Sequence, residues 1–279
     1  MIDAHVHVAS PDTTRYPLRP TGVGSEWWKA GGSVHELIQC LDATGVERAV
    51  VVQAVGVYGY DNSYAAAAVG GRDDARLALV VAVDMGSPDP AAAIAADAAT
   101  SSPSLGGVRL FGVDARPTSW LTDGRGSAVF DVARARGVAV VPTLFSEALP
   151  ALRLLVERHP DVAVAVDHCA FPDMGGPGAD RRLMSLADLP SVRLKVTSHN
   201  LHRQGDDGRP VDPASVLEPL AEVFGAARLC WGSDHPQHRT LDYPAMVAMA
   251  CSACRNLSPQ DQVDFLGGVS ERLWWPSGR

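Results

Sequence analysis

Eight short runs rich in β-branched and apolar residues recur along the chain: IDAHVHV (2–8), RAVVVQAV (48–55), LALVVAVD (77–84), GVRLF (107–111), VAVVPTLF (138–145), VAVAVDHC (162–169), VRLKVTSH (192–199) and RLCWGSDH (228–235). Most are apolar throughout rather than alternating, the pattern of parallel strands covered on both faces. Helical stretches fall between them. SVHELIQCLDATG opens on Ser33 with Glu36 three residues on, a capping box, and closes on Gly45, a C-terminal stop. NSYAAAAVGG and PAAAIAADAAT are alanine-rich, which favours helix. DPASVLEPLAEVFG starts with Asp212 as cap and Pro213 at the first helical position. DYPAMVAMACSACRNL, SPQDQVDFLGG and SERLWW follow the eighth run as further helices.

Strand–helix alternation repeated eight times predicts an α/β fold, a single (β/α)8 barrel over residues 1–279 with extra C-terminal helices. A doubly wound open sheet is the alternative, but a GxGxxG after the first strand is missing. The longest irregular stretches, 9–32, 112–124, 170–180 and 200–211, all follow strands. In a barrel they lie over the C-terminal mouth, where selectivity is built.

Charge and composition narrow the partners. Of 279 residues, 32 are acidic and 24 basic, a formal net charge of 24 − 32 = −8. This argues against nucleic acid or an anionic membrane as partner and leaves a small-molecule substrate, itself neutral or anionic. No apolar run approaches the roughly 20 residues of a membrane span. MIDAHVHV has no basic region followed by a long apolar stretch, so no signal peptide is expected. The cysteines Cys40, Cys169, Cys230, Cys251 and Cys254 are odd in number and scattered, which fits reduced thiols in a cytoplasm. Cys251 and Cys254 form a CxxC within a helical pattern and read as small core residues.

The candidate chemistry sits at strand ends. Residues two apart on a strand share a face, so His5 and His7 project together near the mouth. His168 closes the sixth run and Asp234 the eighth. Three imidazoles and one carboxylate from three strand ends make a nitrogen–oxygen shell suited to one divalent metal. Taken singly, Asp167–His168 could be a satisfied core pair and Asp234 a turn cap. Arg109 lies among apolar residues in GVRLF, either as a clamp on a substrate carboxylate or in an ion pair with a neighbouring acid. Gln53 and Tyr58 follow the second run and either touch substrate or pack the loop. His199 ends the seventh run as a ligand, a proton carrier or a loop residue. His35 and His159 read as structural, and His238 as peripheral. Trp27 and Trp28 wall a pocket or pin a loop. Trp274 and Trp275 anchor the last helix or form a homo-oligomer contact.

DAHVH, VDH and GSDHP resemble the amidohydrolase superfamily, and the segments VVVQ, YGYDNSY, GGVRLF and FGAARLCWGSDHPQ resemble its amidohydrolase-2 branch of sugar lactonases and 2-pyrone-4,6-dicarboxylate lactonase. The resemblance runs from about residue 2 to residue 245. It implies a (β/α)8 barrel that hydrolyses an ester or amide-type bond, with lactones the nearest class. It makes His5 and His7 the first-strand pair, His168 a contact to the substrate carbonyl or metal, Asp234 the activator of water and Arg109 a substrate binder. The cofactor implied is one divalent metal, zinc or manganese, or none, since the lactonase branch includes enzymes that work without one. A two-metal site is not expected, because Thr143 stands where a bridging residue would and Lys195 lies short of its strand end. Relatives that decarboxylate small unsaturated or aromatic acids make a lyase the alternative, with His199 as an extra acid. A cyclisation, dehydration or isomerisation of a natural-product intermediate is a third reading.

Overall fold

In the computed structural model, residues 1–71, 75–102, 104–114, 116–205, 207–238 and 240–276 are described. Each of the eight apolar runs contains a strand: β1 (Ile2–Val6), β2 (Arg48–Val52), β3 (Leu77–Val83), β4 (Leu105–Gly112), β5 (Ala139–Leu144), β6 (Val164–Val166), β7 (Val192–Thr197) and β8 (Leu229–Gly232). They pair in sequence order and every pair is parallel. The Asp234 backbone N–H donates to the His5 carbonyl at 2.8 Å and the His7 N–H to the His235 carbonyl at 2.7 Å, joining the last strand to the first. The result is the expected (β/α)8 barrel.

The helices are α1 (Val34–Thr44), α2 (Val55–Tyr58), α3 (Ser63–Gly70), α4 (Pro90–Ala96), α5 (Arg125–Arg136), α6 (Leu149–Arg158), α7 (Ala179–Met184), α8 (Ser198–Leu201), α9 (Pro213–Phe224), α10 (Tyr243–Ala253), α11 (Pro259–Val263) and α12 (Val269–Trp274). Their starts follow from local chemistry. Ser33 and Glu36 close the capping box of α1, Gly45 ends it in the left-handed conformation, and the Asp212 carboxylate caps α9 ahead of Pro213. Cys251 and Cys254 both lie on or beside α10, as free thiols. No helix among the described residues is long and apolar enough to cross a membrane.

The strands bury side chains on both faces, which explains their unbroken apolar character. Ala49, Val51, Leu79, Leu110, Val166, Leu194 and Trp231 join the larger core shared with the helices. Ala4, Val50, Val52, Ala78, Val80, Val141, Ala165 and Cys230 fill the lumen, joined there by Val269 and Trp274 from α12. Trp274 thus anchors the last helix by closing the end at which the strands begin. A Cβ on Gly106 would stand 2.5 Å from its indole, so only glycine leaves room for it there. Its ring lies 5.0 Å below the Lys195 ammonium, a cation–π contact inside the barrel.

Register on β1 decides which polar residues face inward. Asp3 pairs with Ala49 but Val6 with Val51, so β1 carries one residue more than β2 across this interval. Such a bulge re-aims side chains. It turns Asp3 to the outer face, where its carboxylate accepts from the Tyr243 hydroxyl at 2.9 Å and the Ser233 N–H at 2.9 Å, while His5 and His7 face the lumen.

Trp274→Ala should empty the base of the lumen and destabilise the protein by about 3–5 kcal/mol, measured as a lower midpoint of urea unfolding with unchanged slope.

Candidate active site

A cavity of about 850 Å³ opens at the C-terminal ends of the strands, lined at its floor by His7, Arg109, Thr143, His168 and Asp234. Beneath it lies a fully buried carboxylate, Asp167, at the end of β6. One oxygen accepts from His5 Nδ1 at 3.0 Å and lies 3.1 Å from Lys195 Nζ. The other accepts from Thr143 Oγ1 at 2.6 Å and Arg109 Nε at 3.1 Å. Burial alone would raise this carboxyl. The charges of Lys195 and Arg109, with the hydrogen bond from His5, outweigh it and hold Asp167 well below the usual carboxylate range.

These contacts set the imidazoles. His5 Nδ1 donates to a carboxylate and His7 Nδ1 donates to the Val52 carbonyl at 2.8 Å, so in each ring Nε2 is the nitrogen left free to act as a ligand. The two Nε2 atoms face each other at 3.2 Å, and Asp234 Oδ1 stands 3.7 Å from the first and 3.4 Å from the second. That buried oxygen has no hydrogen-bond partner among the described residues. Burial acts to raise the Asp234 carboxyl, but the neighbouring His168, His7 and His5 hold it well below its ordinary value. Burial drives His5 well below the ordinary histidine value despite Asp167, and so keeps it neutral.

Two imidazole Nε2 atoms and a carboxylate oxygen therefore converge, a donor set that fits a divalent cation. The expected four-ligand shell, however, divides into two groups that share His5. His5, His7 and Asp234 form one, and His5, Asp167 and His168 the other. In the second, Lys195 and Arg109 already supply positive charge to Asp167, so the cation fits the first.

His168 sits just past β6 in an unusual backbone. His168, Cys169, Ala170 and Phe171 all have φ between 51° and 58°. Consecutive left-handed L-residues cost roughly 1–2 kcal/mol each. The turn is braced at the His168 carbonyl, which accepts from Phe171 N–H at 2.9 Å and Asn200 Nδ2 at 2.8 Å. It brings the Phe171 ring within 4.7 Å of the His168 imidazole. His168 Nδ1 pairs with Thr197 Oγ1 at 2.8 Å, and that hydroxyl is 3.2 Å from Asn200 Oδ1. With the hydroxyl donating to Asn200, His168 donates through Nδ1 and turns a bare Nε2 to the cavity. Burial lowers its pKa to about 4, which keeps the ring neutral.

The chain matches the amidohydrolase family model across residues 2–274. It belongs to that family. An L-fucono-1,5-lactonase from Burkholderia ambifaria is 29% identical over 295 residues, covering 99% of this chain and 97% of that protein. A solved amidohydrolase from Burkholderia multivorans with bound zinc has a TM-score of 0.77 at 19% identity over 98% of each chain. A Pseudomonas putida protein described as a 2-pyrone-4,6-dicarboxylic acid hydrolase has a TM-score of 0.78 at 21% identity, over 100% of this chain and 98% of that one. The protein is an enzyme, a hydrolase by family.

Other candidate residues of this amidohydrolase are distributed unevenly. Arg109 takes the ion-pair setting, with Nε on Asp167 and Thr143 and Nη1 donating to the Gln53 carbonyl at 3.1 Å, and it also lines the cavity. Gln53 is placed away from the cavity, because its amide donates to the Gly59 and Asp61 carbonyls and so holds its own loop. Tyr58 likewise faces a second surface cavity, its hydroxyl accepting from Ser10 N–H at 2.7 Å. His199 lines the main cavity, 3.3 Å from the Asp173 carboxylate. That pairing with Asp173 raises its pKa against the opposing effect of burial. His238, expected at the periphery, also lines the cavity and packs edge-on against His202. Trp27 walls the cavity and stacks near His7 at 6.3 Å. His159 is buried against Ser127, and His35 bonds Gln39 on α1.

Asp167, Lys195, Thr197, Asn200 and Phe171 were not marked as site residues by strand-end reading. A charged residue inside an apolar run is the signal that could have found Asp167 and Lys195.

Lys195→Met should leave the buried Asp167 undercompensated and cost about 3–5 kcal/mol, read from chemical denaturation. Asp173→Asn should let the His199 pKa fall toward roughly 6.5, followed by NMR titration of the ring.

Proposed function

We propose that this amidohydrolase is a lactonase, adding water to a small cyclic ester at the cavity floor. The observation that carries the reading is Asp234 Oδ1, a buried carboxylate oxygen without a hydrogen-bond partner among the described residues, facing His5 and His7 beneath an 850 Å³ cavity. The full-length likeness to a lactonase supports the choice of ester.

His5, His7 and Asp234 are the residues that would hold a divalent ion, zinc or manganese. When bound, the ion supplies Lewis-acid polarisation and lowers the pKa of water toward roughly 7. The chain's own work is to position and move protons. Asp234 Oδ1 accepts a proton from the attacking water, and His168 Nε2 offers a second lone pair that orients the same water. Water oxygen bonds to the carbonyl carbon, the ring C–O bond breaks, and the proton held at Asp234 passes to the departing ring oxygen. Arg109 Nη2, without a partner among the described residues' hydrogen bonds, faces the developing negative charge. His199, held cationic by Asp173 to higher pH than a free histidine, stands at the wall as a second source of positive charge.

Asp234→Asn should lower kcat about 10²–10⁴-fold with circular dichroism unchanged. A variant with full turnover would sink the proposal. The product of the native enzyme should gain the mass of one water by mass spectrometry; release of CO₂ instead would indicate a lyase. Elemental analysis should find one zinc or manganese per chain, lost in His7→Ala.

A further inference from the structure

We propose, building on the lactonase reading, that the preferred lactone carries an aryl or alkyl substituent and at most one negative charge, rather than a polyhydroxylated ring or two carboxylates. The cavity has a polar floor but two apolar walls. Phe145, Phe171 and Met174, from the loops after β5 and β6, make one; Val23, Phe111 and Val113, from β4 and the loops after β1 and β4, make the other. Phe145 and Phe171 pack at 5.6 Å between ring centroids. Met174 is 59% exposed while lining the mouth, so its apolar surface is left for an occupant to cover.

Position matters more than composition. Phe171 packs against His168 with its ring tilted by 33°, and the left-handed turn from 168 to 171 holds the two rings together. A lactone whose carbonyl reaches the floor between Asp234 and His168 must lay its substituent along the Phe171 face. Of the rings packed on Phe171 there, His199 is already paired with Asp173, so Phe145, Phe171 and Met174 offer a ring hydroxyl no replacement for its lost water. Near the loop after β8, Ser25 and Gln237 are bound to each other, while His238 and Thr240 line the far side of the cavity. Ser25 Oγ donates to the Gln237 carbonyl at 2.9 Å, and Gln237 Oε1 lies 3.1 Å from the same hydroxyl.

The charges of the described lining residues also disfavour a dianion. Among the described lining residues Arg109 is the one permanent cation, and its Nε and Nη1 are engaged. His199 is paired with Asp173, and Asp114 and Asp234 add negative charge to the same cavity. One carboxylate can meet Arg109 Nη2; among the described lining residues the only further positive charge is His199, and that is shared with Asp173.

The test compares kcat/KM, by proton release, for 3,4-dihydrocoumarin, δ-decanolactone, L-fucono-1,5-lactone and 2-pyrone-4,6-dicarboxylate. The first two should exceed the others by about tenfold or more, as expected for one good apolar contact. Phe171→Ala and Met174→Ala should raise KM for those two about tenfold and leave the sugar lactone unchanged. Preference for the sugar lactone or the dicarboxylate, or equal losses on all four, would overturn the inference while leaving the lactonase reading intact. Calorimetric binding to the Asp234→Asn variant separates the two ideas. Tighter binding of dihydrocoumarin than of the sugar lactone, abolished by Phe171→Ala, supports the apolar subsite even if no probe is turned over, an outcome that would remove the lactonase reading alone. No such binding preference overturns the inference.

Discussion

A buried carboxylate that must stay charged governs this barrel. Asp167, just past β6, is wholly removed from water, and removing an ion from water costs several kcal/mol unless partners compensate. Its partners come from all sides of the lumen: His5 from β1, Arg109 from β4, Thr143 from β5 and Lys195 from β7, with Arg109 reaching on to the Gln53 carbonyl beyond β2. Lys195 is in turn covered from below by Trp274. Loss of one partner strands the rest, so the network ties strand register to charge balance.

The same network prepares the chemistry. Because Asp167 accepts from His5 Nδ1 and Val52 from His7 Nδ1, both Nε2 atoms are directed at Asp234. The barrel closes at the same place: the Asp234 N–H bonds the His5 carbonyl, and Asp3 on the outer face clasps Ser233 and Tyr243. Gly232 permits this approach, since a Cβ there would stand 2.8 Å from the His5 Cβ. Closure and the convergence of donors are thus one geometric event.

Above the floor, control passes to loops. The left-handed turn at 168–171 fixes a histidine and a phenylalanine as a unit, strain retained where the surroundings over-determine it. Phe111 on β4 and the residues after β1 and β6 supply the walls, on a scaffold that does not depend on them. This division lets a barrel alter what it accepts without altering how its donors are held.

The eight strands, the caps of α1 and α9, the same-face pair His5/His7 and the strand-end Asp234 were all legible in the chain. They rest on short-range sterics and on periodicity, which local sequence carries. The extra residue in β1, the pairing of Asp167 with Lys195 and Arg109, and the left-handed turn were not legible. DHCAF contains no glycine to announce positive φ, and the charges meet only across a closed lumen. Gln53 and Tyr58 show the same limit: each lies soon after a strand, yet loop carbonyls and a neighbouring backbone amide took their polar groups. Sequence determined which residues stand at the barrel mouth. Tertiary structure decided which atoms face one another, because lone-pair direction depends on hydrogen bonds between residues far apart in the chain.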